Sequence, residues 1–345
     1  MNNIVTLKTK EDLILDEFEN GEVHRVYVHL TDNALGTPWR LPVIIVKGYK
    51  DGPILGLTAA LHGNELNGIS TIFKLIEDID PKELKGTLVL VPISNIPGYL
   101  ADKRFFTDNV DLNRIMPGSS TGATSKLYAH FFTSKIISKF DYLLDLHTAS
   151  PGRVNSLYIR ADLENEETRT LAYLQNPQII VQKFDEDGTL RGWANENNIP
   201  TITIEIGNPN AFQHGLIDET LDGIINTLRH IKMLKGEVRD MVTNAHVCDH
   251  SYWIYTKKGG IVDVLPKLAD VVKKGETIAK VYDVFGQVKE EVVADKSGVV
   301  IGKNVNPNCD SGTRVLHLGV NIIEPDTEFI PGHDDFEKST FLTSQ

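Results

Sequence analysis

From about residue 41 to 235, short apolar runs alternate with stretches in which apolar residues recur every three or four positions. LPVIIVKG, PILGLTAAL and TLVLVPISN read as strands, while ELNGISTIFKLIEDI and the region around KLYAHFFTSKIISKF read as amphipathic helices. The order repeats downstream. DYLLDLHTA, SLYIRAD, PQIIVQKF and TITIEIG read as buried strands, with helices near EETRTLAYLQ and TLRGWANENN, and DETLDGIINTLRHIKML closes the region. Such alternation predicts an α/β fold, a mainly parallel mixed sheet with helices on both faces.

After about residue 236 the helical periodicity stops, and short β-rich runs punctuated by Gly, Asp and Lys take over. The expected division is a β-rich lead-in over 1–40, an α/β domain over 41–236, and a small all-β C-terminal domain over 237–345. Within this tail, GGIVDVLPKLADVVKKGETIAKVYD and SGVVIGKNVNPNCDSGTRVLHLG share one plan: Gly, a short apolar strand, a Gly turn, another apolar strand. The repeat suggests a duplicated unit folded as a barrel or sandwich. The two halves also resemble carrier domains that hold a modified lysine, with Lys289 between them, but the hairpin signatures around such a lysine are absent.

A length of 345 residues accommodates a large core, and the net charge of −12 opposes binding to phosphate backbones or anionic lipid. Nucleic acid and membrane are therefore not expected partners. The N-terminus interleaves charges with apolar residues rather than forming a signal peptide, and no apolar run approaches the roughly 18 to 20 residues of a membrane span. Only Cys248 and Cys309 are present, so neither a disulfide framework nor a cysteine zinc site is indicated. A cytoplasmic location is expected.

Chemistry concentrates where predicted strands end. PILGLTAALHGNELNG places His62 and Glu65 at the carboxyl end of a buried strand, the edge at which open α/β sheets bind ligands. A His and a Glu three apart on a Gly-containing turn can direct two ligand atoms to one ion. Alone the pair is weak, since a Glu in a first helical turn is favourable without any metal. DYLLDLHTA delivers His147 to a second strand end, and two His with one Glu form a catalytic zinc set that leaves a position for water. TITIEIG buries Glu205 in an apolar strand, which demands a partner or a function. It is a candidate general base; the alternative is a structural partner to a buried Arg or Lys.

Between these elements, RFFTDNVDLNRIMPG carries Arg104, Asp111, Asn113 and Arg114 in a loop. A guanidinium can polarise a carbonyl or grip a carboxylate, an Asn adds a directed amide donor, and Asp111 can orient a metal-binding His. His246, Cys248 and His250 in AHVCDH form a further short cluster, read as a domain junction rather than a metal site.

The ordered motifs H-G-N-E, D-L-N-R-I-M-P-G, D-L-H-T and T-I-E-I-G resemble the succinylglutamate desuccinylase and aspartoacylase family, a branch of the zinc carboxypeptidase superfamily. The likeness spans roughly 40 to 235, and the β-rich tail is similar to the C-terminal domain of many such deacylases. The resemblance implies that His62, Glu65 and His147 bind one Zn2+ and that Glu205 is base and proton shuttle. It implies that Asn113 and Arg114 hold the substrate carboxylate and that Arg104 polarises the scissile carbonyl. The implied reaction is amide hydrolysis of a small N-acyl amino acid, with the tail narrowing the cleft against peptides. A zinc carboxypeptidase acting on peptides and a catalytically silent metal-binding relative are the alternatives, and a homo-oligomer is compatible with either.

Overall fold

Alternating apolar residues in Glu22–Asp32 (β1) and Pro38–Lys47 (β2) make an antiparallel hairpin with one buried face. The hairpin opens a fourteen-stranded sheet, in a computed structural model that describes residues 7–184, 188–239 and 245–323. Lys50–Ala59 (β3), Lys85–Val91 (β4), Tyr142–His147 (β5), Arg153–Asn155 (β6), Leu157–Ala161 (β7), Ile179–Gln182 (β8) and Thr201–Ile206 (β9) follow. Then come the tail strands His246–Tyr255 (β10), Gly260–Val264 (β11), Thr277–Tyr282 (β12), Val288–Val293 (β13), Gly298–Asn304 (β14) and Arg314–Ile323 (β15).

The spatial order is β1, β2, β4, β3, β5, β9, β7, β8, β10, β15, β14, with the two-residue strands Thr9–Lys10 and Val271–Val272 at the ends and β6 paired to β14. The central strands β4, β3, β5 and β9 are parallel, as their continuous apolar character requires. The flanks are not. The hairpin joins β4 antiparallel, β7 runs antiparallel to β9, and β15 and β14 close the far side antiparallel. The expectation of a mainly parallel sheet thus applies to the centre, while the whole sheet is mixed.

Helices cover both faces. Asn67–Asp78 (α1), Glu166–Leu174 (α4) and His214–His230 (α6) bury Ile72, Leu171 and Ile224 in one core cluster. Thr124–Lys135 (α3) and Leu190–Glu196 (α5) bury Phe132 and Leu190 in a second, shared with the N-terminal hairpin. Ile96–Leu100 (α2), not anticipated from the pattern, is a short helix capped by Asn95, whose side chain accepts from Gly98 N at 2.9 Å. Among the described residues no helix is long and apolar enough to cross a membrane.

In the tail, β13, β12, β11 and Asn308–Cys309 form a separate four-stranded sheet, yet β10 pairs in parallel with β8, so the main sheet runs on into the tail. The duplicated halves exchange their shortest strands: Val271–Val272 pairs with β14 of the second half, and Asn308–Cys309 with β11 of the first. His246, Cys248 and His250 lie on β10, and burial pushes the Cys248 thiol up to about 12. Lys289 lies within β13.

Candidate metal centre and active site

The carboxyl ends of β3, β5 and β9 meet at one pocket of about 470 Å³, whose lining includes His62, Glu65, Arg104, Asn113, Arg114, His147 and Glu205, with Asp111 behind it. His62 and Glu65 stand on the turn between β3 and α1. Gly63 is needed there because a Cβ would lie 2.0 Å from the backbone carbon of Gly98, where α2 crosses the turn. Strand register does the rest, since Glu205 on β9 is the direct neighbour of His147 on β5.

His62, Glu65 and His147 are buried and can hold a metal ion, each offering one ligand atom within 4.8 Å of the others. His62 Nδ1 lies 2.8 Å from Glu65 Oε1, His147 Nδ1 lies 2.8 Å from Glu65 Oε2, and the two Nδ1 atoms are 3.2 Å apart. Ligand atoms around a tetrahedral zinc with bonds of about 2.0–2.1 Å are separated by roughly 3.3 Å, close to these spacings.

The outer nitrogens decide the protonation. His147 Nε2 is 2.8 Å from Asp145 Oδ2, and His62 Nε2 is 3.0 Å from Asp111 Oδ1. A carboxylate only accepts, so each Nε2 carries a proton and each neutral ring turns a lone pair inward. The two Nδ1 atoms and the Glu65 carboxylate then converge, and nothing donates to either Nδ1 unless a proton or a cation arrives. The donor set therefore fits zinc, with both histidines oriented by carboxylates behind them. Without the ion, burial disfavours a charge on His147, but the carboxylates of Asp145 and Glu65 outweigh it and raise its affinity for a proton well above the ordinary 6.5. Glu65 shows the converse: burial pushes it up, and the two histidines overcome this and hold it below its usual range.

Asp111 explains much of the D-L-N-R motif. Its Oδ1 accepts from Asn113 N at 3.0 Å as well as from His62, while its Oδ2 takes Arg104 Nε at 3.1 Å and Nη2 at 2.9 Å. Arg104 Nη1 also reaches Glu65 Oε1 at 3.1 Å and Ser150 Oγ at 2.9 Å. Burial raises the Asp111 carboxyl, and the His62 and Arg104 contacts more than reverse this. Asn113 accepts from Leu190 N at 2.7 Å through Oδ1, which leaves its Nδ2 donors for the pocket. Arg114 Nη1 donates to Asn113 O at 2.6 Å.

Glu205 has two kinds of neighbour. It lines the pocket beside His147, and it also pairs with an arginine: Arg160 Nε donates to Oε1 at 3.2 Å and Asn155 Nδ2 to Oε2 at 3.3 Å. The sequence reading missed Asp145 and Arg160, although both announce themselves as Glu205 does, by a charge inside an apolar strand. It expected the tail to narrow the cleft but named none of the tail residues in the pocket. Ser251, Tyr252 and Trp253 from β10 and Arg314 and His317 from β15 line it. Trp253 and His317 are register partners, stacked with centroids 5.0 Å apart and planes 9° apart.

Buried donors at the carboxyl edge of a mixed α/β sheet define a candidate metal-centred site of the kind that binds small ligands. The chain belongs to the succinylglutamate desuccinylase/aspartoacylase family, whose catalytic domain matches residues 51–231. An N-alpha-acetyl-L-2,4-diaminobutyric acid deacetylase from Halomonas elongata is 25% identical over 318 residues, 87% of this chain and 92% of that protein. The product-bound ectoine utilization protein EutE (DoeB) from Ruegeria pomeroyi has a similar fold, with TM-score 0.80, 22% identity, and coverage of 88% of this chain and 97% of that one. A succinylglutamate desuccinylase/aspartoacylase from Rhodobacter sphaeroides gives TM-score 0.77 at 22% identity, covering 90% and 98%.

Proposed function

We propose that the protein is a zinc-dependent deacylase that hydrolyses the amide bond of a small N-acyl amino acid. The observation that carries this reading is the convergence of His62, Glu65 and His147, with each histidine's outer nitrogen fixed by a carboxylate and Glu205 in register beside His147. Bound by these three side chains, one zinc per chain supplies a water acidified towards neutral pH and a Lewis acid for the carbonyl oxygen.

The chain's own residues do the remainder. Glu205 takes a proton from the attacking water and delivers it to the departing amine nitrogen, work expected of a carboxylate placed beside the metal group. Arg104, held by Asp111 next to Glu65, stabilises negative charge developing on the carbonyl oxygen. Asn113 Nδ2 and the Arg114 guanidinium hold the substrate's carboxylate, which fixes the amide over the centre. The segment 41–236 supplies these groups, and Ser251, Tyr252, Trp253, Arg314 and His317 of the tail add to the pocket's lining, which supports the reading that substrates are small.

The ion pair between Glu205 and Arg160 is the observation that favours a silent metal-binding relative, because it gives the carboxylate a structural task. A zinc-loaded screen of N-acyl amino acids and tripeptides, read by amine release, separates the readings. Release from an N-acyl amino acid in preference to tripeptides is expected. Cleavage of tripeptides alone indicates a peptidase, and no release from any substrate indicates the silent relative.

A further inference from the structure

Two groups of the proposed reaction stand on backbone that regular structure does not hold. His62 and Glu65 follow β3 through Ala60, whose φ of 48° lies in the left-handed region that an alanine side chain disfavours. Arg104 lies between α2 and the turn Leu112–Arg114, in a segment without helix or strand. Contacts from neighbouring residues must fix both.

Asn95 touches both. It is fully buried, and its backbone N–H donates to Ala60 O at 3.0 Å. Its Nδ2 donates to Leu61 O at 3.2 Å and to Arg104 O at 3.4 Å, while Oδ1 caps α2 by accepting from Gly98 N at 2.9 Å. Both amide N–H groups and one oxygen lone pair are thus used on three separate segments. The fit leaves no slack. A Cβ at Gly98 would lie 2.5 Å from Nδ2, and the same glycine is the one against which Gly63 of the metal turn packs. Capping α2 needs only an oxygen acceptor, which Ser or Asp supplies about as well as Asn. Serving the two carbonyls takes a pair of N–H donors at amide length, which Ser and Asp lack.

We propose that Asn95 is a positioning residue for the hydrolysis. It fixes the backbone of Arg104 against the chain that leads to His62, so that the guanidinium meets the oxygen of a carbonyl placed over the metal group. This rests on the deacylase reading and on the part Arg104 plays in it. The contacts of the Arg104 side chain with Asp111, Glu65 and Ser150 set where the guanidinium points, and the Asn95 contact sets where the side chain starts.

Asn95→Ser keeps an oxygen for the cap and removes both carbonyl contacts, so a residue that only caps α2 would leave it near wild type. The zinc-loaded full chain is assayed with the N-acyl amino acid that the wild type hydrolyses fastest in the screen above. The variant's kcat is expected to fall about 10- to 100-fold with KM little changed, because a displaced oxyanion group is missed in the transition state rather than in binding. In an Arg104→Met background the same substitution should cost nothing further, since the group it positions is gone. Zinc affinity, read by competition with a chelator dye, should be unchanged. Asn95→Asp serves if the serine variant does not fold: it keeps the size and the cap, turns an oxygen towards the two carbonyls, and should show the same dependence on Arg104.

Wild-type kcat overturns the proposal, and so does an equal fall in both backgrounds. Weakened zinc affinity with kcat restored at saturating zinc also overturns it, assigning Asn95 to the metal turn alone. If the wild type hydrolyses no N-acyl amino acid, the deacylase reading fails instead, and crystal structures of the zinc-free wild type and Asn95→Ser still decide the positioning. Arg104 Nη1 withdrawn from its 3.1 Å contact with Glu65 Oε1 supports it, and an unmoved guanidinium refutes it.

Discussion

At the metal end of the pocket each of these side chains has a polar partner: His62 has Asp111, His147 has Asp145, and Arg104 has Asp111 and Glu65. At the tail-side wall, Arg153 and Arg314 share Trp253 and, among the described residues, have no acid between them. The first arrangement is complete except for a cation at its centre. The second gathers two guanidiniums on one indole, with the Glu65 charge acting on Arg153 from the metal side. Satisfied networks hold geometry, and unsatisfied charge selects ligands, because its electrostatic cost is recovered only when the right partner binds.

The largest effect that would break this contrast is expected from His147→Ala. It removes one of three donors, so zinc measured by elemental analysis should fall from one per chain to none, with amine release lost as well. Retained zinc would show that the ion sits elsewhere. Glu205→Gln should keep stoichiometric zinc and lose roughly 10²- to 10⁴-fold in kcat. Wild-type turnover in that variant would leave the carboxylate with only its structural tie to Arg160.

Asp145→Asn sharpens the contrast from the metal side. The amide cannot replace the carboxylate behind His147, so zinc affinity, read by competition with a chelator dye, should weaken about 10- to 100-fold. Substrate preference should not change. A change in both quantities would merge the two regions into one network.

The smallest effect concerns pH in the zinc-free protein. The folded-state proton affinity of His147 is raised, so its contribution to stability is fully present below about 6.5 and is lost as pH rises through the higher folded value. The melting temperature of the stripped protein should therefore fall as pH is raised from near neutrality into the alkaline range. The zinc-loaded protein should resist this fall, since the ion replaces the proton. Parallel curves would contradict the convergence of lone pairs inferred from the two Nε2 contacts.

How much of this was readable beforehand follows from what each residue type advertises locally. The strands ending in His62, His147 and Glu205 were legible because a polar side chain at the end of an apolar run is conspicuous, and the helices from α1 to α6 apart from α2 followed their periodicity. Asp145 and Arg160 carried the same signal and were passed over, one because His147 two residues later drew the attention, the other inside SLYIRAD. Trp253 and Arg314 had no local signal at all. They reach the pocket only because β10 joins the main sheet beside β8 and then pairs with β15, a long-range choice that no window of sequence displays. A mixed sheet was expected, but which flanking strands run antiparallel was not legible for the same reason, since strand direction depends on which neighbour a strand finds.

The central claim is that His62, Glu65 and His147 hold a zinc ion on which amide hydrolysis depends. The most direct measurement strips the protein with a chelator, removes the chelator, and follows amine release from an N-acyl amino acid that the untreated protein hydrolyses while zinc is added back. No release is expected at the start, followed by recovery in proportion to zinc that reaches its plateau at one ion per chain. Full turnover by the stripped protein, before any metal is returned, would contradict it.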